Sequence, residues 1–333
     1  METIINSLMD RAGARALFNS TTGRALFAVV AGATTPLYRE IQRVFPDLLF
    51  TTLNDAVAAL DRVSTAAQSY TNQTAATIYV APGVYTITAE ASRIIIPDTL
   101  SGLRIYFEQG AELSTSAALT AGNGLLEIEG RNVQLAGFPR LSNTNASQTG
   151  SALIVGGSAV GEGDAQGFFC ENLAVAGQTA ATDWARPVVL RGVTDGTFVN
   201  TIGAIIWGST GTTRIISVEA GNARNTINLR LVGIIARALI DSGNSCIPLS
   251  IDASQEAGSI IGGEYTTSGS GKAIVITAQD WSLNGGGLAG STAAVGAGNH
   301  IDLVTATRIR IGLFYNKDLD ANTAPTLFDQ TNV

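Results

Sequence analysis

The stretch Ile227-Asn-Leu-Arg-Leu-Val-Gly233 decides the fold, because variants of it return along most of the chain. Each variant alternates apolar and polar residues and ends in glycine. This is the pattern of a strand with one buried face that is closed by a turn. The other copies are Asn132-Val-Gln-Leu-Ala-Gly137, Asn172-Leu-Ala-Val-Ala-Gly177, Phe198-Val-Asn-Thr-Ile-Gly203, Ser259-Ile-Ile-Gly-Gly263, Trp281-Ser-Leu-Asn-Gly-Gly286 and Arg308-Ile-Arg-Ile-Gly312.

The spacing of these copies indicates a solenoid. The last six closing glycines are separated by 26, 30, 30, 23 and 26 residues. A turn residue that returns at a period of two to three dozen marks one coil of a repeat architecture. Since no helical pattern separates the copies, the sequence predicts an all-β fold, a parallel β-helix. We expect equivalent apolar positions of successive coils to stack, for example Leu173, Val175, Leu229 and Leu231.

The composition limits the classes of partner. Charged residues make up 14% of the 333 residues, whereas an ordinary soluble domain has roughly 25%. The net charge is −7 and lysine occurs only at Lys272 and Lys317, so no basic patch for nucleic acid is present. No stretch approaches the ~20 consecutive apolar residues of a membrane span. A surface with so little charge predicts contacts between subunits.

Residues 1–48 differ from the rest and predict an N-terminal helical segment. The apolar residues of its first part recur at helical spacing, which indicates an amphipathic helix. A second helix is predicted from about Pro36 to Val44. This apolar stripe either packs on the solenoid or docks on another protein, and we expect it to anchor the protein to a larger particle. The residues of the predicted anchoring stripe are Ile4, Ile5, Leu8, Met9 and Leu17.

Residues 49–314 form the predicted solenoid, and residues 315–333 lose its pattern and predict a terminal strap or loop. The solenoid opens with an amphipathic helix at about 53–63, preceded by Thr52 as a candidate N-cap. Such a helix caps the first open coil of a solenoid. Two strands bent at Pro82-Gly83 follow.

These opening residues resemble a known family. The helix Thr52-Leu-Asn-Asp-Ala-Val-Ala-Ala-Leu60 and the run Ile78-Tyr-Val-Ala-Pro-Gly-Val-Tyr-Thr-Ile87 are similar to the opening of pectate-lyase-like right-handed parallel β-helices. That opening is common in bacteriophage tailspikes and in polysaccharide lyases and hydrolases. A helical N-terminal extension without a signal peptide resembles tailspike and tail-fibre proteins more than secreted lyases. The resemblance implies a right-handed β-helix and a homotrimer.

Catalytic chemistry has few candidates. The single histidine, His300, has no nearby nucleophile, and one histidine with two distant cysteines does not form a zinc site. We expect no metal and no cofactor. Glycosidases need two carboxylates at a defined separation, and a β-helix can bring such acids together from neighbouring coils. The weak catalytic candidates are therefore the pairs Asp164 with Glu171 and Asp183 with Asp195, beside the pairs Glu127 with Glu129 and Asp241 with Asp252.

A second kind of site is predicted at Asp183, Trp184 and Arg186. An aromatic ring can stack on a sugar, and neighbouring charges can hold its hydroxyl groups, so this cluster is a candidate glycan-binding site.

The sequence thus predicts a bacteriophage virion structural protein, similar to a tail fibre or tailspike. We expect it to be synthesised in the host cytoplasm without a signal peptide, to join other tail or baseplate proteins, and to contact a host-surface polysaccharide. Two alternatives stay open. One is a polysaccharide hydrolase or lyase, and the other is a head decoration or baseplate protein that binds only virion proteins.

Overall fold

The computed structural model describes most of the solenoid. The described residues are 18–19, 24–25, 27–44, 46–61, 76–146, 148–157, 165–177, 184–199, 205–208, 213–221, 226–238, 246–252, 256–266, 272–289, 301–303, 305–312, 315–316 and 328–329. The predicted anchoring residues Ile4, Ile5, Leu8, Met9 and Leu17 lie outside them, as do Asp164, Asp183 and His300.

Three long parallel sheets confirm the predicted parallel β-helix. They contain nine, eleven and nine strands, and consecutive coils contribute neighbouring strands to each sheet. Every coil passes through sheet 1, then sheet 2, then sheet 3, and the next coil stacks on it. A separate antiparallel pair joins Phe18–Asn19 to Arg24–Ala25.

Neighbouring strands of each sheet are hydrogen-bonded in the following order. Sheet 1 consists of Ile94–Ile96, Gly124–Ile128, Ser151–Val155, Val188–Arg191, Arg214–Glu219, Ile247–Ile251, Ile274–Ile276, Ile301–Asp302 and Phe328–Asp329. Sheet 2 consists of Leu49–Phe50, Phe27–Val30, Thr77–Val80, Arg104–Phe107, Gln134–Gly137, Phe169–Glu171, Thr197–Val199, Leu229–Val232, Glu256–Ile261, Gln279–Asn284 and Arg310–Ile311. Sheet 3 consists of Gly83–Ile87, Ala111–Thr115, Arg140–Asn143, Ala174–Gly177, Ile205–Gly208, Ile235–Ala238, Glu264–Thr266, Gly287–Ala289 and Tyr315–Asn316.

Two α-helices of the described residues lie near the N-terminal end of the solenoid. Helix α1 spans Pro36–Val44, and helix α2 spans Leu53–Asp61. The Thr52 hydroxyl accepts a hydrogen bond from the Asp55 backbone N–H at 3.1 Å, which is the predicted N-cap. Short 3-10 helices span Pro46–Leu48, Glu90–Ser92 and Asp98–Leu100.

Strand Phe27–Val30 lies within residues 1–48, where the sequence predicts a helical segment. It pairs in parallel with Thr77–Val80 and with Leu49–Phe50, and Ala28 and Val30 are fully buried in the solenoid core. Sheet 2 therefore begins before residue 49. Valine is β-branched and favours strands, and Val30 packs in the core above the first coil, which explains the strand.

The core is built from columns of apolar side chains that stack from coil to coil. In sheet 2, one inward column is formed by Ile105, Leu135, Cys170, Phe198 and Leu231, and all five are buried. The apolar positions of the repeated phrase thus line the interior, as the alternation predicts.

The predicted stacking of Leu173 and Val175 with Leu229 and Leu231 is wrong in its register. Val175 belongs to the inward column of sheet 3, where it pairs with Leu141, whereas Leu231 lies in sheet 2. The phrase at 172–177 crosses into sheet 3 because Asn172 itself takes the left-handed turn conformation, with φ of 53°. Asn172 occupies the corner between sheets 2 and 3 that Gly137 occupies one coil earlier. The phrase at 172–177 therefore begins at the corner where the phrase at 132–137 ends.

A column of left-handed residues turns every coil from sheet 1 into sheet 2. We call it the corner ladder. Each member lies two residues before one of a set of sheet 2 residues that pair with one another from coil to coil, the set that runs from Arg104 to Arg310. Each member has a φ between 47° and 80°. The corner ladder consists of Gly102, Asn132, Gly167, Asp195, Asn228, Ala257, Asp280 and Arg308. Asn and Asp tolerate this conformation better than other side-chain residues, which explains their frequency here.

Candidate functional site

The side chains of the corner ladder contact one another between coils. The Asn228 amide donates a hydrogen bond of 3.0 Å to the Asp195 carboxylate. Farther along, the Arg308 guanidinium donates from Nε to the Asp280 carboxylate at 2.5 Å. This hydrogen bond lowers the pKa of Asp280, and Asp280 in turn raises the pKa of Arg308. Asp280 is therefore held ionised by the neighbouring coil.

A polar groove runs beside this ladder, and we call it the corner groove. Its volume is about 490 Å³. It crosses four coils, so its length along the solenoid is about 14 Å at the usual strand spacing. Ala257 has only a methyl side chain and leaves the groove open at its centre, and Gly258 also lines it. The remaining lining residues are Asp195, Thr197, Asn228, Leu229, Arg230, Ser259 and Asp280.

The corner groove opens onto a column of outward-facing residues of sheet 2, which we call the outer column. The strand register places its members on successive coils. They are Arg104, Gln134, Phe169, Thr197, Arg230, Ser259, Ser282 and Arg310. Arg104, Arg230 and Arg310 are exposed, and no ion pair joins them to any residue that the structure describes. Hydroxyl groups lie between Arg230 and Arg310, at Ser259 and Ser282.

Aromatic rings lie at the N-terminal end of the same face. The rings of Tyr79 and Tyr106 stack with 5.9 Å between centroids and 13° between planes. The Arg104 guanidinium lies over the Tyr106 ring, 5.9 Å from its centroid. Helix α1 covers Tyr79 through Ile41, while Tyr106 stays partly exposed. The face thus combines cations, hydroxyl groups and an aromatic ring.

Several arginines elsewhere in the described solenoid bind acids of the adjacent coil. Arg93 binds Glu127 with Nε and Oε1 3.0 Å apart, and Arg140 binds Glu112 at the same distance. The other pairs that join adjacent coils are Arg186 and Arg191 with Glu219, Arg214 with Asp252, Arg237 with Glu264, Lys272 with Asp302 and Arg308 with Asp280. Acids used in this way hold coils together.

Of the weak catalytic candidates, the structure describes Glu171 and Asp195, which belong to different predicted pairs. Glu171 pairs in register with Val199, and Asp195 lies four residues before Val199. Their backbones are therefore about 13 Å apart along the strand direction. Paired glycosidase carboxyls lie about 5–9.5 Å apart. The Glu171 carboxylate instead accepts a hydrogen bond of 3.1 Å from the Gly137 backbone N–H. The partner candidates Asp164 and Asp183 lie outside the described residues.

Trp184 of the predicted glycan-binding cluster lies inside the core, not on the surface. Its side chain is 0% exposed and belongs to the main apolar cluster. A ring in that position packs on other core residues and offers no face to a sugar. Arg186 is half-buried and contacts Glu219. Burial and the neighbouring charges of Arg191 and Arg214 lower the pKa of Arg186. Asp183 itself lies outside the described residues.

The remaining acidic pairs also have structural partners. Glu127 faces outward between buried Leu126 and Ile128, as the alternation predicts, and it binds Arg93 and the Gly124 N–H. Asp252 binds Arg214, while Asp241 lies outside the described residues. Across the part of the chain that the structure describes, no group of three or more His, Cys, Asp or Glu side chains could hold a metal ion.

Sequence reasoning missed Arg230 and Asp280 as site residues. A signal for Arg230 is present in the sequence, because it is the central polar residue between two buried leucines of the repeated phrase. The alternation places the side chain of such a residue on the outer surface of the solenoid. It does not show which residues of the neighbouring coils lie beside it. The lateral order of the coils gathers these residues into one groove, and only the strand register reveals that order.

Comparisons with known proteins leave the family open. No family model matches the sequence, and no curated protein matches it. Among solved structures, the chain is similar to a Parabacteroides merdae protein provisionally assigned as a glycosyl hydrolase. The sequence identity is 12%, the TM-score is 0.28, and the match covers 90% of this chain and 99% of the other. At that TM-score the similarity adds nothing to the assignment of function.

None of the helices in the described ranges has both the length and the apolar composition that a membrane crossing requires.

Proposed function

We propose that this protein is a virion structural protein of the bacteriophage tail-fibre or tailspike-like type, which binds a host-surface polysaccharide along sheet 2 without cleaving it. The observation that carries the binding role is the corner groove with the adjoining outer column. Carboxylate, amide, hydroxyl and guanidinium groups line one continuous exposed face there. Such groups donate and accept the hydrogen bonds that sugar hydroxyls require.

The use of the acids favours binding over cleavage. The two acids of the corner groove, Asp195 and Asp280, lie three coils apart, about 14 Å between their backbones. Each is engaged by a side chain of the following coil. A glycosidase needs one carboxyl that stays protonated to donate to the leaving group. An acid such as Asp280, whose pKa is lowered by Arg308, is poorly suited to that role.

The virion role is supported by the resemblance of the helix and strands at 52–87 to tailspike openings, and by the low content of charged residues. A homotrimer would bury part of this charge-poor surface. Sedimentation of the purified protein is expected to give the mass of a trimer, and a monomer at micromolar concentration would contradict the trimer.

The place of the protein in the virion is tested by labelled antibodies against the chain, which are expected to mark the tail of intact virions in electron micrographs. Label on the head would favour the decoration alternative.

The binding role is tested with polysaccharide purified from the host surface. We expect the full chain to bind it, as measured by biolayer interferometry. Ser259→Trp places an indole in the corner groove and is expected to weaken binding at least about tenfold, equivalent to about 1.4 kcal/mol. The matched control is Thr266→Trp, in the same coil but on sheet 3, which is expected to bind like the unchanged protein.

Cleavage is tested in the same samples by the release of reducing ends and by the chain length of the polysaccharide. We expect neither to change over a day. Release of reducing ends that is lost in Asp195→Asn would replace the adhesin proposal with the hydrolase alternative. Equal binding by Ser259→Trp and the unchanged protein would remove the corner groove from the proposal.

A further inference from the structure

Among the described residues, no strand covers the N-terminal edge of sheet 3. Strand Gly83–Ile87 is the terminal strand of that sheet and pairs only with Ala111–Thr115 among the residues that the structure describes. Sheet 2 continues for two further strands beyond the same coil, Phe27–Val30 and Leu49–Phe50. The first coil is therefore covered unevenly, with sheet 3 ending two strands earlier than sheet 2.

The backbone of this edge strand has hydrogen-bonding groups directed away from the sheet. The Gly83 N–H donates to the Gly110 carbonyl, and the Ile87 carbonyl accepts from Ser116. In a parallel ladder the N–H and C=O of one residue point to the same side, and successive residues alternate. Gly83 and Ile87 thus face the neighbouring coil, while the N–H and C=O groups of Val84 and Thr86 face the open edge.

A groove lies along this edge, and we call it the edge groove. Helix α2 packs on strands of sheets 1 and 2, including Phe27–Val30 and Ile94–Ile96. The space beside sheet 3 is left open with a volume of about 720 Å³. Thr34, Thr51 and Asn54 are among the residues that line it.

The dimensions of the edge groove match one added strand. A strand of five residues, at the usual rise, strand spacing and sheet thickness, occupies about 800 Å³. The outward side chain of Val84 is 64% exposed, more than the other exposed large apolar side chains of the described residues, Phe138 and Ile261. Asp55 is the one charged side chain among the described residues that line the groove, and it already binds the Thr52 hydroxyl at 2.6 Å. The site therefore suits an uncharged, extended segment.

We propose that the edge groove receives an extended segment of a partner polypeptide, which adds to strand Gly83–Ile87 as a further strand of sheet 3. An open edge is a template for main-chain pairing, and strand addition is an established way in which proteins capture peptides. The segment lies beside strand Gly83–Ile87 in the plane of sheet 3, and its uncharged β-branched and hydroxyl side chains pack next to those of Val84 and Thr86. This proposal does not depend on polysaccharide binding by sheet 2.

The probe is a fluorescein-labelled, C-terminally amidated peptide Gly-Val-Tyr-Thr-Ile-Thr, a copy of residues 83–88. Identical strands stack in register in parallel sheets, so this copy carries the side-chain pattern that the edge accepts. We expect saturable binding to the full chain, measured by fluorescence anisotropy. The same peptide with methyl groups on alternate backbone nitrogens cannot donate to the edge and is expected to bind at least about tenfold more weakly.

The protein variants are Thr86→Pro and Thr86→Val. Proline removes the N–H that faces the edge groove but no hydrogen bond to the neighbouring coil, and edge strands tolerate proline at such positions. We expect Thr86→Pro to lose peptide binding, and Thr86→Val, which keeps the N–H, to retain it. Equal binding of the methylated and unmethylated peptides to the unchanged protein would overturn the proposal even if Thr86→Pro did not fold.

Sedimentation tests whether a second copy of this chain occupies the edge groove. If Thr86→Pro changes the oligomeric state and Thr86→Val does not, a second copy occupies the groove and the partner-segment proposal is wrong.

Discussion

The indole ring of Trp281 packs directly against the backbone of Gly258 in the preceding coil. A Cβ at position 258 would lie 2.5 Å from Trp281 Cη2, which is closer than side-chain contacts allow. The two residues are paired in register on sheet 2, and both face the core. Two coils earlier, Leu229 lies over Gly196, since a Cβ at 196 would be 3.2 Å from Leu229 Cδ1. Large and small residues thus alternate along this column.

Gly258→Ala is expected to destabilise the protein by about 1–3 kcal/mol, because the added methyl group overpacks the core against the indole. The φ of Gly258 is not in the left-handed region, so the effect comes from packing and not from backbone strain. Chemical denaturation measures it. In a Trp281→Leu background the same change is expected to cost less, and an equal cost in both backgrounds would contradict the contact.

Leu229→Asp is expected to cost several kcal/mol, because Leu229 is 1% exposed and a carboxylate there would have no partner. The conservative change Leu229→Met keeps the volume and is expected to cost less than about 1.5 kcal/mol. Both are measured by denaturant unfolding followed by circular dichroism. A small effect of the aspartate would place Leu229 outside the core and contradict the coil register.

The fold could be predicted from the sequence because the repeated phrase encodes both of its determinants. Alternation specifies which side of each strand is buried, and the recurring turn residue specifies the coil. Among the phrases that the structure describes in full, the copy at 172–177 departs from this rule, because it looks like its relatives but lies on sheet 3. Asn172 takes the left-handed conformation that glycine takes in other coils, and the sequence does not show which of the two corners an Asn-initiated phrase occupies.

The candidate site could not be predicted in the same way, because it depends on lateral register. Residue type alone identifies Asp195 as a candidate, but its contact with Asn228 depends on a coil-to-coil pairing across 33 residues. The charged residues that flank Trp184 in the sequence predict a surface position for it. Its indole instead lies in the main apolar cluster, where burial of its large apolar surface stabilises the fold.

Glu90 is expected to stabilise the fold in a pH-dependent manner. Its carboxylate accepts hydrogen bonds from the Thr120 N–H at 2.7 Å, the Asn123 amide at 2.7 Å and the Thr120 hydroxyl at 2.8 Å. These bonds lower the pKa of Glu90 to about 2 from its ordinary value of 4.5, the Thr120 N–H contributing most. Because the folded-state pKa is the lower one, the stabilisation is present above pH 4.5 and is lost as the pH falls towards 2.

The variant Glu90→Gln tests this. The difference in Tm between the unchanged protein and the variant is expected to be largest near neutral pH and to shrink between about pH 4.5 and about pH 2. The control is Asp98→Asn, which removes a carboxylate from a nearby turn and leaves the hydrogen bonds of Glu90 to Thr120 and Asn123 in place. A Tm difference for Glu90→Gln that stays constant from neutral to strongly acidic pH would show that the carboxylate charge plays no part.

Tyr265→Phe is expected to stabilise the protein by about 1 kcal/mol. Tyr265 is 0% exposed on the inward column of sheet 3, and its hydroxyl has no hydrogen-bond partner among the described residues. Burial raises the pKa of this phenol. A buried hydroxyl without a partner costs its desolvation free energy, and phenylalanine removes that cost while keeping the ring. Denaturant unfolding measures the change, and a loss of more than about 1 kcal/mol would show that the hydroxyl binds a partner such as buried water.

Ala257→Asn links the corner ladder to the proposed function. Alanine with a φ of 47° is strained, and asparagine adopts this left-handed conformation at a lower cost. We therefore expect the variant to gain about 0.5–1 kcal/mol in the free energy of unfolding, the usual range for compatible backbone substitutions. The new amide lies between Asn228 and Asp280 and fills the centre of the corner groove. Polysaccharide binding is therefore expected to weaken while stability rises, a combination that general damage to the fold cannot produce.

Ala257→Gly is the control, because it relieves the strain and leaves the groove open, so it is expected to keep full binding. If Ala257→Asn binds as well as Ala257→Gly, the ligand does not occupy the centre of the corner groove.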